Sequence, residues 1–245
     1  MHALAELRRR IRAAALQRLL PQPFTSRHLE YTIIAALDDD TSKPTPRLID
    51  VALDSISKAR TIDLSHISSL LKSSPSYPEI WPGEHYKLLA GAVRSLQPKL
   101  IVEVGTFTGM SALSMLRALP ECGRIVTYDV TPWSDLLGAL VCAKDFQDGR
   151  LEQRVEDLSD ITVFARNAEV LRDADIIFID GPHNVAFEED LLAKLKTIDY
   201  SGHPLVILDD IRLLGMTGVW RRIDRPKLDM TSFGHWSGTG FIDWA

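Results

Sequence analysis

Cysteine is scarce in this sequence: Cys122 and Cys142 are the only two in 245 residues. They cannot build a disulfide framework, and neither stands in a C-x-x-C or Cys/His pair with zinc-ligand spacing. Long apolar runs are also missing. The longest are strand-sized pieces such as Ile176–Ile179, far short of the roughly 18 to 20 residues that cross a bilayer. Positive charge is not in excess either, with 28 Lys+Arg against 33 Asp+Glu and a formal charge of −5. No global field therefore draws the chain onto nucleic acid or an anionic membrane. Internal repeats and low-complexity tracts are absent, so solenoids and linkers are excluded. At the N-terminus, Glu6 and the arginines Arg8, Arg9, Arg10 and Arg12 interrupt the apolar stretch that a secretion signal needs. These absences predict a chain of the reducing cytoplasm with a small-molecule partner, no nucleic acid and no membrane; a homo-oligomer is compatible with the composition.

What is present is ordinary globular material, 45% hydrophobic and 25% charged. Residues 1–79 read as a helical extension. Leu4, Leu7, Ile11, Ala14 and Ala15 recur at helical spacing, as do Leu29, Ile33, Ala36 and Leu37, with Pro21 and Pro23 between the two sets. Shorter helices are expected over Leu48–Ala59 and Asp63–Leu71, before Pro75, Pro78 and Pro82 break the pattern.

Residues 80–245 alternate strand and helix, which predicts an α/β fold with a doubly wound, Rossmann-like sheet. Strands are expected at Leu100–Val104, Arg124–Tyr128, Leu151–Val155, Asp175–Asp180 and Leu205–Asp209. Helices are expected over Met110–Leu119, after Pro132, after Ser159, over Val185–Lys196 and near Val219. The chain then closes with two strands, Lys227–Phe233 and Gly240–Trp244, joined by Gly234–Gly238 in an antiparallel ending.

Ligands of such sheets bind at the carboxyl ends of the strands, and here those ends are acidic. The first reads Glu103-Val-Gly105-Thr106-Phe-Thr-Gly109-Met-Ser111. Its glycines permit a sharp turn and a close approach of backbone to ligand, at the start of a helix. A dinucleotide loop would read G-x-G-x-x-G; the spacing here is G-x-x-x-G, which argues against NAD. The second strand ends in Asp129, placed to accept hydrogen bonds from both hydroxyls of a ribose.

These motifs resemble the class I S-adenosylmethionine-dependent methyltransferases, over roughly residues 84–245. The resemblance implies a seven-stranded sheet with an antiparallel last strand and S-adenosylmethionine as the methyl donor. It places Glu103, Gly105 and Gly109 toward the methionine half of that cofactor, Asp129 on its ribose and Asp157 near its adenine, with Thr106, Ser111 and Asp180 as further cofactor contacts.

The fourth and fifth strand ends gather Asp180, Asp209 and Asp210 on one sheet edge. Such a cluster is relieved by raised pKa values or by a cation, and all-oxygen ligands favour a hard ion, Mg²⁺ or another hard divalent cation. The pattern is similar to the divalent-metal-dependent O-methyltransferases of the catechol and sugar/macrolide type. Asp-Asp at the fifth strand, where the catechol enzymes carry Asp-Asn, lies closer to the sugar-modifying branch. The resemblance implies methyl transfer to a hydroxylated small-molecule acceptor, with Asp180 and His183 as catalytic residues. His183 stands where the catechol enzymes place a lysine base; a structural role for it is the alternative. Two aromatic and histidine clusters, Trp81–Tyr86 around His85 and Ser232–Gly238 around His235, are candidates for the acceptor pocket. Metal-free N-methylation, a non-catalytic cofactor-binding module and a nucleotide-dependent oxidoreductase are the competing readings.

Overall fold

Residues 42–71, 78, 84–213 and 215–244 are described by a computed structural model. The two helices expected before residue 40 lie outside the described residues, as does Trp81 of the first aromatic cluster. Helices α1 (Pro46–Ala59), α2 (Ser65–Ser68) and α3 (His85–Leu96) precede the first strand. Then follow β1 (Leu100–Val104), α4 (Met110–Leu116), β2 (Arg124–Asp129), β3 (Leu151–Val155), α5 (Ile161–Arg166), α6 (Ala168–Arg172) and β4 (Ile176–Ile179). The chain continues through α7 (Ala186–Leu195), β5 (Leu205–Asp209), α8 (Met216–Arg222), β6 (Lys227–Asp229) and β7 (Thr239–Asp243).

The seven strands form one sheet in the order β3-β2-β1-β4-β5-β7-β6. Strands β1 to β5 pair in parallel, and β7 runs antiparallel to both β5 and β6. The seven-stranded sheet and antiparallel ending expected from the sequence are both present. Every position of β1, β4, β5 and β7 is buried, as near-continuous apolar runs covered on both faces require. Alternation along the strands feeds two cores. Ile101, Ile125, Phe178 and Phe241 pack with Leu48, Leu64, Leu88 and Met115 on one face. On the other, Val102, Tyr128, Ile177 and Leu208 meet Leu191, Trp220 and Trp244.

Helix α1 starts where Thr45 accepts the Leu48 N–H at 3.1 Å and Pro46 supplies a preset φ. It lies against α3 at Gly91, where a Cβ would fall 2.3 Å from the Ser55 carbonyl oxygen. Its first turn is tied to the sheet: Thr45 Oγ1 donates to Asp243 at 2.6 Å, and Arg47 bonds both Asp243 and the His203 carbonyl.

Two local expectations need correction. The helix predicted after Pro132 is replaced by two 3₁₀ turns, Trp133–Asp135 and Ala143–Phe146. Stacking of Trp133 on Phe146, with centroids 5.4 Å apart, folds the segment back on itself, and Gly138 and Gly149 at positive φ break any helix. The strand predicted over Lys227–Phe233 stops at Asp229, whose carboxylate accepts from both the N–H and the hydroxyl of Thr231 and turns the chain.

Candidate active site

The turn after β1 is built by steric necessity. Gly105 adopts φ +102°, and a Cβ there would lie 2.0 Å from the Asp180 carbonyl oxygen, so the loop presses directly on the end of β4. Gly109, at φ +81°, opens α4 against Val141. The exposed Phe107 between them also has positive φ. Its N–H donates to Asp129 Oδ2 at 2.9 Å, while the Thr131 N–H donates to Oδ1 at 2.9 Å. Two backbone amides thus fix the Asp129 carboxylate at the end of β2, leaving further acceptor capacity on each oxygen.

A cavity of about 550 Å³ opens over these strand ends, a volume typical of small-molecule sites. It brings together Gly105, Asp129, Asp157, Asp180 and His183 of the expected residues, with Phe107 and Phe187 also on its walls. Glu103, Thr106, Gly109 and Ser111 do not line it. They stand behind the β1 turn: the Thr106 and Thr127 hydroxyls pair at 2.8 Å, and Ser111 Oγ donates to Glu103 Oε1 at 2.5 Å. Glu103 is fully buried and its Oε2 has no hydrogen-bond partner. Burial pushes its pKa up to about 8, against the lowering effect of the Ser111 and Thr127 hydroxyls.

Beside the cavity, β4 and β5 deliver the three aspartates, and each meets an imidazole. His183 Nε2 lies 3.4 Å from Asp180 Oδ1 and 3.1 Å from Asp210 Oδ2. His235, from the loop between β6 and β7, puts Nδ1 3.5 Å from both Asp209 Oδ2 and Asp210 Oδ1, with Ser237 Oγ at 2.7 Å. Buried His85, at the start of α3, places Nδ1 3.6 Å from Asp209 Oδ1. Asp180 is raised by burial and by Asp209, with His183 opposing. His183 is raised by its bond to Asp180. For His235 burial disfavours the charge, but Asp209 and Asp210 outweigh it and raise the pKa to about 10. For His85 burial wins, and its pKa falls.

Two residues that matter here escaped the sequence reading. Thr239, opposite Asp209 across the β5–β7 pairing, has its hydroxyl 3.1 Å from His85 Nδ1 and 3.4 Å from Asp209 Oδ1, and accepts the His235 N–H at 2.9 Å. No local pattern marks it, because the register that places it is long-range. Glu188, fully buried in the first turn of α7, accepts the His183 N–H at 2.8 Å. Its signal, an acid just inside a helix start, is shared with many inert residues.

Residues 81–200 match the model of the O-methyltransferase family. This region is similar to the O-methyltransferase family. Catechol O-methyltransferase domain-containing protein 1 of Mus musculus is 32% identical over 93 residues, covering 38% of this chain and 34% of that protein. Tricin synthase 1 of Oryza sativa subsp. japonica is 32% identical over 121 residues, covering 45% of this chain and 46% of that one. The chain thus matches less than half the length of these curated relatives. Among solved structures, the SAH-bound methyltransferase PaMTH1 of Podospora anserina superposes with a TM-score of 0.51 at 16% identity, covering 84% of this chain and 91% of that one. A Geobacter sulfurreducens methyltransferase gives 0.50 at 20% identity, covering 73% and 93%. These two likenesses carry the fold. Glu103, Asp129, Asp180 and His183 all fall within the matched family domain, whereas Asp209, Asp210 and His235 lie beyond it.

Proposed function

We propose that this protein transfers a methyl group from S-adenosylmethionine to a hydroxyl oxygen of a small molecule, a sugar or other vicinal diol or phenol, assisted by a divalent cation. The observation that carries this reading is the shared edge. One cavity spans the ends of β1, β2 and β4, with the amide-fixed Asp129 on one side and, on the other, Asp180 and His183, which contacts Asp210 behind the wall.

In this reading Asp129 receives the ribose hydroxyls through its free lone pairs. The backbone of Gly105 can approach the methionine half because no side chain intervenes, and Asp157 faces the base. Glu103, Thr106, Gly109 and Ser111 act from behind, holding the shape of the turn. S-adenosylmethionine itself supplies an electrophilic methyl on a sulfonium, whose positive charge is neutralised as it leaves.

The acidic edge suits a divalent cation. Asp210 Oδ1 is buried without a hydrogen-bond partner, and carboxylates and imidazoles converge within 4.8 Å in two groups that share Asp210. Asp180, Asp209 and Asp210 would hold the ion, whose charge favours the ionised form of a neighbouring hydroxyl. The imidazoles of His85, His183 and His235 lie along the same edge as polar partners for the acceptor and its proton. Because these rings already pair with the carboxylates, metal-free transfer is the second reading.

Radiolabelled methyl transfer from S-adenosylmethionine to a panel of catechols, sugars and amines, with and without chelator, tests the assignment. Label in a hydroxylated acceptor, lost with chelator, restored by a divalent cation and abolished in Asp210→Asn, is expected. Label that survives the chelator supports metal-free transfer, and label in amines alone overturns O-methylation.

A further inference from the structure

Three imidazoles stand at the acidic edge, and their environments differ. His85 is fully enclosed and its Nδ1 is held by Thr239. His235 has Ser237 Oγ at 2.7 Å from the ring nitrogen that faces the acids, closer than either carboxylate. His183 Nε2 faces two carboxylates: Asp180 Oδ1 at 3.4 Å and Asp210 Oδ2 at 3.1 Å.

A general base needs a lone pair aimed at its substrate. Nε2 of His183 is instead turned toward two negatively charged oxygens, an arrangement satisfied either by a proton on that nitrogen or by a cation between the three atoms. Donors bound to one ion at about 2.1 Å, the distance common to imidazole and carboxylate ligands, stand roughly 3.0 to 3.4 Å apart for coordination angles between a right angle and the tetrahedral value. The observed 3.1 and 3.4 Å fall in that range. Asp210 is itself largely enclosed, and its other oxygen, Oδ1, faces His235 Nδ1 at 3.5 Å, so Oδ2 is the oxygen it presents to His183. The backbone of His183 is also fixed. Glu188 accepts the His183 N–H at 2.8 Å, and Gly181 admits this approach because a Cβ there would lie 3.0 Å from Glu188 Oε1.

The geometry points to His183 as a nitrogen ligand of the cation, through Nε2, beside Asp180 and Asp210. This rests on the cation reading above and deepens it, because it changes the class of ion. An imidazole among carboxylates suits a borderline transition ion such as Mn²⁺, Co²⁺ or Zn²⁺, whereas an all-oxygen set suits Mg²⁺. Glu188 is then a positioning residue, acting on the ion through the His183 backbone.

The test is calorimetric titration of Co²⁺ alone and of Mg²⁺ alone into the chelator-stripped full chain, together with the visible spectrum of bound Co²⁺. Wild type, His183→Gln, Glu188→Gln and Asp210→Asn are compared, with S-adenosylmethionine binding as the check on folding. The expected result is a preference for Co²⁺ over Mg²⁺ that falls by at least about tenfold in His183→Gln, a Co²⁺ band shifted as oxygen replaces nitrogen, and near-wild-type behaviour in Glu188→Gln, which keeps an acceptor for the His183 N–H. Co²⁺ binding lost in Asp210→Asn but unchanged in affinity and spectrum in His183→Gln would overturn the ligand assignment while sparing the cation reading. No heat from either ion in wild type that binds S-adenosylmethionine would overturn both.

Discussion

Gly105 shows how little room the site leaves. Its φ of +102° and the 2.0 Å approach of a built Cβ to the Asp180 carbonyl mean that Gly105→Ala must both strain the backbone and separate β1 from β4. The backbone strain alone costs about 1–3 kcal/mol. Thermal unfolding should show a lowered midpoint and calorimetry a loss of S-adenosylmethionine binding; an unchanged midpoint would refute the packing argument. Glu103 offers a second test at this scale. Its carboxyl is ordinary in the unfolded chain and raised to about 8 by burial in the fold, so the folded state binds the extra proton between those values. The stability it contributes is full below about pH 4.5 and is lost as the pH rises toward 8. Denaturant unfolding at a series of pH values should therefore show wild type losing stability over that window relative to Glu103→Gln. Parallel profiles for the two proteins would contradict the assignment.

The contact of α1 with α3 depends on one glycine. A side chain at Gly91 meets the Ser55 carbonyl at 2.3 Å, so Gly91→Val is expected to destabilise the protein by about 1–3 kcal/mol through overpacking. Chemical denaturation measures it, and a stability equal to wild type would show that α1 is loosely held. Elements are also where the sequence spoke most clearly. Strands such as Leu100–Val104 and Leu205–Asp209 were legible because runs of Val, Ile and Leu between turn residues leave few alternatives. The segment after Pro132 was not, because the Trp133–Phe146 stack that shapes it joins residues whose attraction no local periodicity encodes. The same holds for the site. Strand-end residues Asp129, Asp180 and Asp209 follow from where the strands stop, whereas the pairing of His183 with Asp210 and of Thr239 with Asp209 depends on long-range register and loop conformation.

Across the whole molecule, acidic strand ends converge on one edge of the sheet although the chain carries only a modest net charge of −5. The order β3-β2-β1-β4-β5-β7-β6 places β1 between β2 and β4, so its turn touches both the Asp129 side and the Asp180 side of the cavity. Crossing from one half of the sheet to the other at that point is what makes a single cleft out of separate loops. Among the described residues, no helix is long and apolar enough to cross a membrane. Whether this cleft holds S-adenosylmethionine is decided by calorimetric titration of that compound into wild type and Asp129→Ala, with NAD⁺ as control. Binding to wild type, marked weakening in Asp129→Ala and no heat from NAD⁺ are expected. No binding of S-adenosylmethionine to folded wild type, or equal binding by the variant, would contradict the cofactor assignment.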